Sequence, residues 1–295
     1  MESKNIVDFI GNTPLIRAKN ILKKDGVSLY LKLEGNNPGG SVKDRPAYNM
    51  IAAALERNEI KKGDYLIEAT SGNTGIALAM IANQFGLNIE LVMPENSTKE
   101  RVQTMQAYGA KVTLTPSETG IEGSRIYAEK QVIDKGYFML NQFANEDNWK
   151  AHYKTTGPEI WHDTNKEITH FISAMGTTGT IMGTSTYLKE KNKNIKIIGA
   201  QPTDNSKIPG IRKWSPEFLP KIFNPKKVDQ VIEVSETEAR EMTKRLAKEE
   251  GIFAGMSSGG AVTAALKLAE TINSGVLVAI ICDRGDRYLS SDLFE

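Results

Sequence analysis

Residues 65–84, YLIEATSGNTGIALAMIANQ, decide the architecture. The first four (YLIE, 65–68) form a short apolar run suited to a buried strand. Residues 69–75 are small and polar and include Gly72 and Gly75, and 76–84 is an apolar, helix-compatible stretch. The same order recurs along the chain. IELVM (89–93) closes at Pro94, then comes a helical stretch through Tyr108 and a strand over 111–114. ITHFIS (168–173) leads through 174–180 into a helix ending near Lys191, and IKIIGA (195–200) and LVAII (277–281) supply two more strands. Strands alternating with helices predict an α/β protein with mostly parallel sheets flanked by helices. In such sheets, ligands bind at the loops that leave the carboxyl ends of the strands.

Bulk properties narrow the classes. With 295 residues, 40% hydrophobic and 25% charged, the chain has material for two domains or one large one. A formal net charge of +1 and the lack of a Lys/Arg cluster interleaved with aromatics argue against a nucleic-acid partner. A single cysteine, Cys282, excludes an intramolecular disulfide and a thiolate zinc cluster, and His152, His162 and His170 lack metal-site spacing. No apolar run approaches 18 residues and no signal-like stretch follows the first residues, so a cytoplasmic protein without a membrane segment is expected. The polar stretch 141–157 is expected to be a domain crossing. Residues 203–227, with Pro209, Pro216, Pro220 and Pro225, are expected to make a long surface excursion, either an active-site cover or a plain connection.

Three loops and one lysine carry the chemistry. Residues 174–180 (AMGTTGT) offer unhindered amides, hydroxyls and a helix N-terminus, which suit a phosphate. Neither G-x-G-x-x-G nor a Walker A ending is present, so a dinucleotide is not indicated; a tight βα turn is the plainer alternative. Residues 70–75 (TSGNTG) suit a carboxylate, and 255–260 (GMSSGG) again open an apolar helix expected over 261–269. In 36–45 (NNPGGSVKDR), Pro-Gly-Gly leads to Ser41, a candidate N-cap, and a helix expected over 46–56. Lys43 thus sits near a helix start, where the dipole disfavours a cation and favours an amine that attacks a carbonyl. The segment is equally compatible with a solvated lysine paired to Asp44.

A small phosphate, an amino-acid carboxylate and a Schiff-base lysine together describe pyridoxal phosphate. The segments GNTPL (11–15), KLEGNNP (32–38), SVKDR (41–45), TSGNTG (70–75), GTTGT (176–180) and SSGG (257–260) resemble the cysteine synthase family. That family has the tryptophan-synthase-β-like, fold type II architecture. HY (152–153) with TTGPEIW (155–161), IPGIR (208–212) and CDRGDRY (282–288) resemble its type B branch in particular. The resemblance spans nearly the whole chain.

The resemblance implies two domains: a smaller one from 1–12 and 36–147, and a larger one from 13–35 and 148–295. It implies that Lys43 holds the cofactor as a Schiff base and moves the α-proton, and that Asn73 bonds the cofactor's 3′-oxygen. Gly176, Thr177, Thr178, Gly179 and Thr180 would hold the phosphate, and Ser257 would meet the pyridine nitrogen. Thr70, Ser71, Gly72, Thr74 and Gln142 would receive the substrate carboxylate. The implied reaction is β-replacement on O-acetyl-L-serine, through an α-aminoacrylate, by sulfide or thiosulfate. Arg212, Cys282 and Asp283 match positions that make the type B pocket polar, although Lys213 stands where a second arginine is expected. Cys282 reads equally as a small buried residue. The alternatives are action on L-cysteine with release of hydrogen sulfide, and a non-catalytic cofactor-binding scaffold. A homodimer is implied; a metal, nucleic acid or membrane is not.

Overall fold

The computed structural model describes residues 4–295. A six-stranded sheet runs in the order β1-β2-β10-β7-β8-β9: β1 (Leu15–Arg17), β2 (Val27–Leu33), β7 (His170–Ala174), β8 (Lys196–Pro202), β9 (Gln230–Val234) and β10 (Gly275–Ile281). A four-stranded sheet runs β5-β4-β3-β6: β3 (Tyr65–Ala69), β4 (Asn88–Pro94), β5 (Lys111–Thr115) and β6 (Phe138–Met139). Among the strand pairs of the described residues, only β1–β2 is antiparallel. The expected class therefore holds. The helices are α1 (Asp44–Glu56), α2 (Asn73–Gln84), α3 (Lys99–Ala107), α4 (Gly120–Lys135), α5 (Glu146–Lys154), α6 (Thr156–Asp163), α7 (Gly179–Lys191), α8 (Glu236–Glu250) and α9 (Met256–Thr271).

Burial explains the central elements. GVLVAII of β10 is a continuous apolar run because β2 and β7 flank it and helices cover its faces. Helix α2 is buried from Thr74 through Ala82, all round, which is why its sequence has no charged face. Each sheet has its own apolar cluster. Leu29, Leu31, Ile172, Ile198, Leu277 and Ala279 lie in one, and Leu66, Ile89, Leu91, Met50 and Ile81 in the other.

The structure adds helices to the polar stretch expected at the domain crossing and corrects the expectations around Lys43. Residues 141–157 are mostly helical (α5 and the start of α6), and Asn145 caps α5 by accepting the Asp147 amide at 2.9 Å. Helix α1 starts at Asp44, and Lys43 rather than Ser41 occupies the cap position; the Ser41 hydroxyl accepts the Lys43 amide at 3.2 Å. Asp44 is no partner for Lys43. It is fully buried and accepts the Gly39 amide, and burial pushes its carboxyl up to about 7.

Candidate active site

The site forms where three strands end. The chain leaves β3 into residues 70–72 and enters α2; it leaves β7 into 175–178 and enters α7; it leaves β10 at Cys282. Lys43 is brought there by backbone bonds to the large sheet: the Val42 amide donates to the Cys282 carbonyl at 2.8 Å, and Ser41 bridges to Asp283. One cavity is lined by Lys43, Asn73, Gly176, Thr177, Thr178, Thr180, Ser257 and Cys282. Residues spread over more than 230 positions of sequence thus face a single space.

The loop before α7 fits a phosphate. Thr178 has φ +70°, a left-handed backbone that a β-branched residue adopts at a cost. Its side chain is buried and its Oγ1 has no hydrogen-bond partner. The first turn of α7 adds amides that no helix carbonyl takes. A Cβ on Gly176 would meet the Gly210 carbonyl oxygen at 2.6 Å, and one on Gly179 would meet Asn148 Oδ1 at 1.9 Å, so this cradle tolerates only glycine at both places. Gly179 supplies that turn without itself lining the cavity. Behind Thr180 lies His152, whose Nε2 is 3.3 Å from the Thr180 hydroxyl and whose Nδ1 is 2.8 Å from Thr156 Oγ1. Burial, with the Arg45 charge, lowers His152 to about 3, so its ring is neutral at physiological pH. The lysine, the phosphate cradle and the neutral hydroxyl of Ser257 form a donor set that suits pyridoxal phosphate.

The expected carboxylate residues form a neighbouring group. Gly72 caps α2, the Thr70 hydroxyl accepts the Gly72 amide at 3.4 Å, and Ser71 lies half-buried between them. Thr74 Oγ1 donates to Gln142 Oε1 at 2.8 Å, both side chains being buried. Asn148 ties this group to the phosphate loop: its Nδ2 donates to the Gln142 carbonyl at 2.6 Å and reaches Thr177 Oγ1 at 3.4 Å. Nothing in the sequence marked Asn148.

Arg212 is placed elsewhere. Its side chain is exposed and stacks over the Trp214 ring at 5.2 Å, outside the cavity lining; only its backbone, donating to the Met175 carbonyl at 2.9 Å, belongs to the site wall. Lys213 pairs with Asp204 and Glu233, each at 2.7 Å, so its lysine identity does not bear on the cavity. The first part of the 203–227 excursion is a wall: Ile208 and Ile211 are buried, and Gly210 faces both Gly176 and Ser257. Burial pushes the Cys282 thiol up to about 11, so it faces the cavity protonated. No cluster of metal-ligating side chains occurs among the described residues, nor any helix long and apolar enough to cross a membrane.

Residues 6–283 match the family model described as pyridoxal-phosphate-dependent enzyme. Cysteine synthase B of Pseudomonas aeruginosa is 56% identical over 98% of this chain and 97% of that protein, and cysteine synthase B of Escherichia coli is 53% identical over 97% and 94%. Among solved structures, a cysteine synthase from Entamoeba histolytica superposes with a TM-score of 0.93 at 38% identity, covering 100% of this chain and 91% of that one. Fold, cavity and relatives thus define a fold type II, pyridoxal-phosphate-dependent enzyme. Within that class, the chain belongs to the cysteine synthase family.

Proposed function

We propose that this enzyme converts O-acetyl-L-serine and sulfide to L-cysteine and acetate. The observation that carries the reading is the convergence of Lys43, Asn73, Thr177, Thr178, Thr180 and Ser257 on one cavity, with the Thr70–Gln142 group beside it. The 56% and 53% identity to two cysteine synthases of type B supports the substrate choice.

When bound, pyridoxal phosphate supplies a carbonyl carbon for amines and a conjugated ring that delocalises the electron pair left by α-proton loss. Lys43 Nζ would hold the cofactor and, as a free amine, would act as the base that takes the α-proton. The glycines and hydroxyls of 176–180 hold the phosphate at the head of α7. Asn73 would hold the cofactor's 3′-oxygen, and Ser257, a neutral hydroxyl, would serve its pyridine nitrogen without forcing a proton onto it. Thr70, Ser71, Gly72, Thr74 and Gln142 bind the substrate carboxylate, and their closing over it excludes water. Arg212 has no role in this reading, because its guanidinium lies against Trp214 outside the cavity.

Two domains complete the reading: 13–35 and 148–295 around the six-stranded sheet, and 1–12 and 36–147 around the four-stranded one. Every strand falls within these bounds, while residues 1–3 lie outside the described residues. We place the enzyme in the cytoplasm as a homodimer, which sedimentation of the purified protein tests. The test of activity is stoichiometric release of acetate and formation of L-cysteine from O-acetyl-L-serine and sulfide. Faster sulfide release from L-cysteine would instead assign the alternative substrate. S-sulfocysteine from thiosulfate would extend the nucleophile range.

A further inference from the structure

Asn73 opens α2, and its amide is held from both sides by one stretch of the C-terminal chain. Its Nδ2 donates to Asp283 Oδ2 at 2.7 Å, and Arg287 Nη1 donates to its Oδ1. Asp283 is buried, and its Oδ2 also accepts the Tyr288 hydroxyl at 2.7 Å. Arg287 is fixed in turn by donating to the Gly39 carbonyl. Gly255 leaves room for the carboxylate, since a Cβ there would lie 2.5 Å from Asp283 Oδ1.

An asparagine side chain is nearly symmetric in shape, so packing alone does not choose between its oxygen and its nitrogen. A donor on one side and a carboxylate on the other do choose. With Arg287 against Oδ1 and Asp283 against Nδ2, only one orientation satisfies both, and one of the two amide hydrogens is left over. Asn73 lines the cavity. A turned amide would present its oxygen there and repel the oxygen it is meant to bind.

We propose that Asp283 and Arg287 are positioning residues: they lock the Asn73 amide so that its remaining N–H is presented to pyridoxal phosphate. This rests on the reading of Asn73 as a cofactor contact. Asp283 and Arg287 of CDRGDRY thereby acquire a role separate from the polar nucleophile pocket that the resemblance implied.

The test is a double-mutant cycle on the holoenzyme, following pyridoxal-phosphate release on dilution through loss of the protein-bound absorbance band. Asn73→Ala and Asp283→Ala are each expected to speed release about tenfold. The double variant should release no faster than Asn73→Ala, because Asp283 acts only through Asn73. Asp283→Asn, whose amide oxygen still accepts from Asn73, should stay within about threefold of the parent. Multiplying effects in the double variant, or an Asp283→Ala enzyme that releases at the parent rate, would overturn the proposal. An Asn73→Ala enzyme that releases at the parent rate would overturn the cofactor reading of Asn73 and the proposal with it. If Asp283→Ala does not fold, Arg287→Met takes its place in the cycle, with the same non-additivity expected and multiplicative effects again overturning the proposal.

Discussion

Glu34 and Glu68 are the same residue, both almost fully buried, and they titrate in opposite directions. Burial by itself raises Glu34, but Arg45 donates to it from Nε at 2.7 Å and from Nη2 at 2.8 Å, and Thr13 donates at 2.7 Å; the carboxyl is drawn down to about 2. Glu68 has the Asn141 amide at 3.0 Å and the Gln142 amide at 3.5 Å, too little to offset burial, and it rises to about 7. The two glutamates mark two regions. Around Glu34, the buried Lys32 and Arg45, with Glu159 at 2.9 and 2.6 Å, tie the start of α1, and hence Lys43, to β2 and α6. Around Glu68, the carboxylate group is held by single neutral hydrogen bonds. The corner that carries Lys43 is tied by buried ion pairs, whereas residues 70–75, proposed to receive the substrate, are tethered by neutral hydrogen bonds.

Predictions follow this contrast from its strongest effect to its weakest. Lys43→Ala should cut steady-state cysteine formation by about a thousandfold or more and abolish the lysine-dependent absorbance band. Equal activity in that variant would break the assignment of the ion-paired corner. Arg45→Met should cost about 3–5 kcal/mol in urea unfolding, because it strands the buried Glu34 without its cation, turning it into a second Glu68, and leaves Glu159 with Lys32 alone.

The two carboxylates also divide the pH axis. The depressed Glu34 contributes stability fully present above about 4.5 and lost as pH falls toward 2. The raised Glu68 acts oppositely: between about 4.5 and 7 the fold keeps a proton that the unfolded chain has released, so stability falls as pH rises through that window. Glu68→Gln should therefore remove its own share, on the order of 3 kcal/mol, of the decline across that window, leaving the share of Asp44, read from unfolding curves at stepped pH. An unchanged slope would show that Glu68 is ionised in the fold. On the lightly tethered side, Gln142→Ala should raise KM for O-acetyl-L-serine about tenfold with kcat nearly kept. Arg212→Ala, out on the surface, should change either constant by less than about twofold.

The periodic parts of the fold were legible. Strands such as β10 and helices such as α2 announce themselves because burial on all sides demands an unbroken apolar run. Helix α4 shows why others did not. Its buried face is Ser124, Ala128 and Gln131, while Ile126 and Ile133 are 68% and 83% exposed, so its hydrophobic pattern is the reverse of its packing. That residues 70–75, 176–180 and Lys43 come together could be anticipated, because loops suited to anions need small residues and open amides. Asn148, His152 and the grip on Asn73 could not, since they act through distances between segments far apart in sequence. Arg212 failed for the same reason: a residue type suggests an anion, and only geometry shows that its guanidinium faces a tryptophan.

Asn148 has a consequence of its own. One side-chain nitrogen serves the Gln142 carbonyl and approaches the Thr177 hydroxyl, so the two anion loops share a donor. Binding at shared groups is reciprocal: whatever factor a phosphate at Thr177 contributes to carboxylate affinity beside Gln142, the carboxylate returns to the phosphate. If the two loops bind as proposed, any change at Asn148 should therefore alter cofactor retention and substrate affinity together rather than one alone.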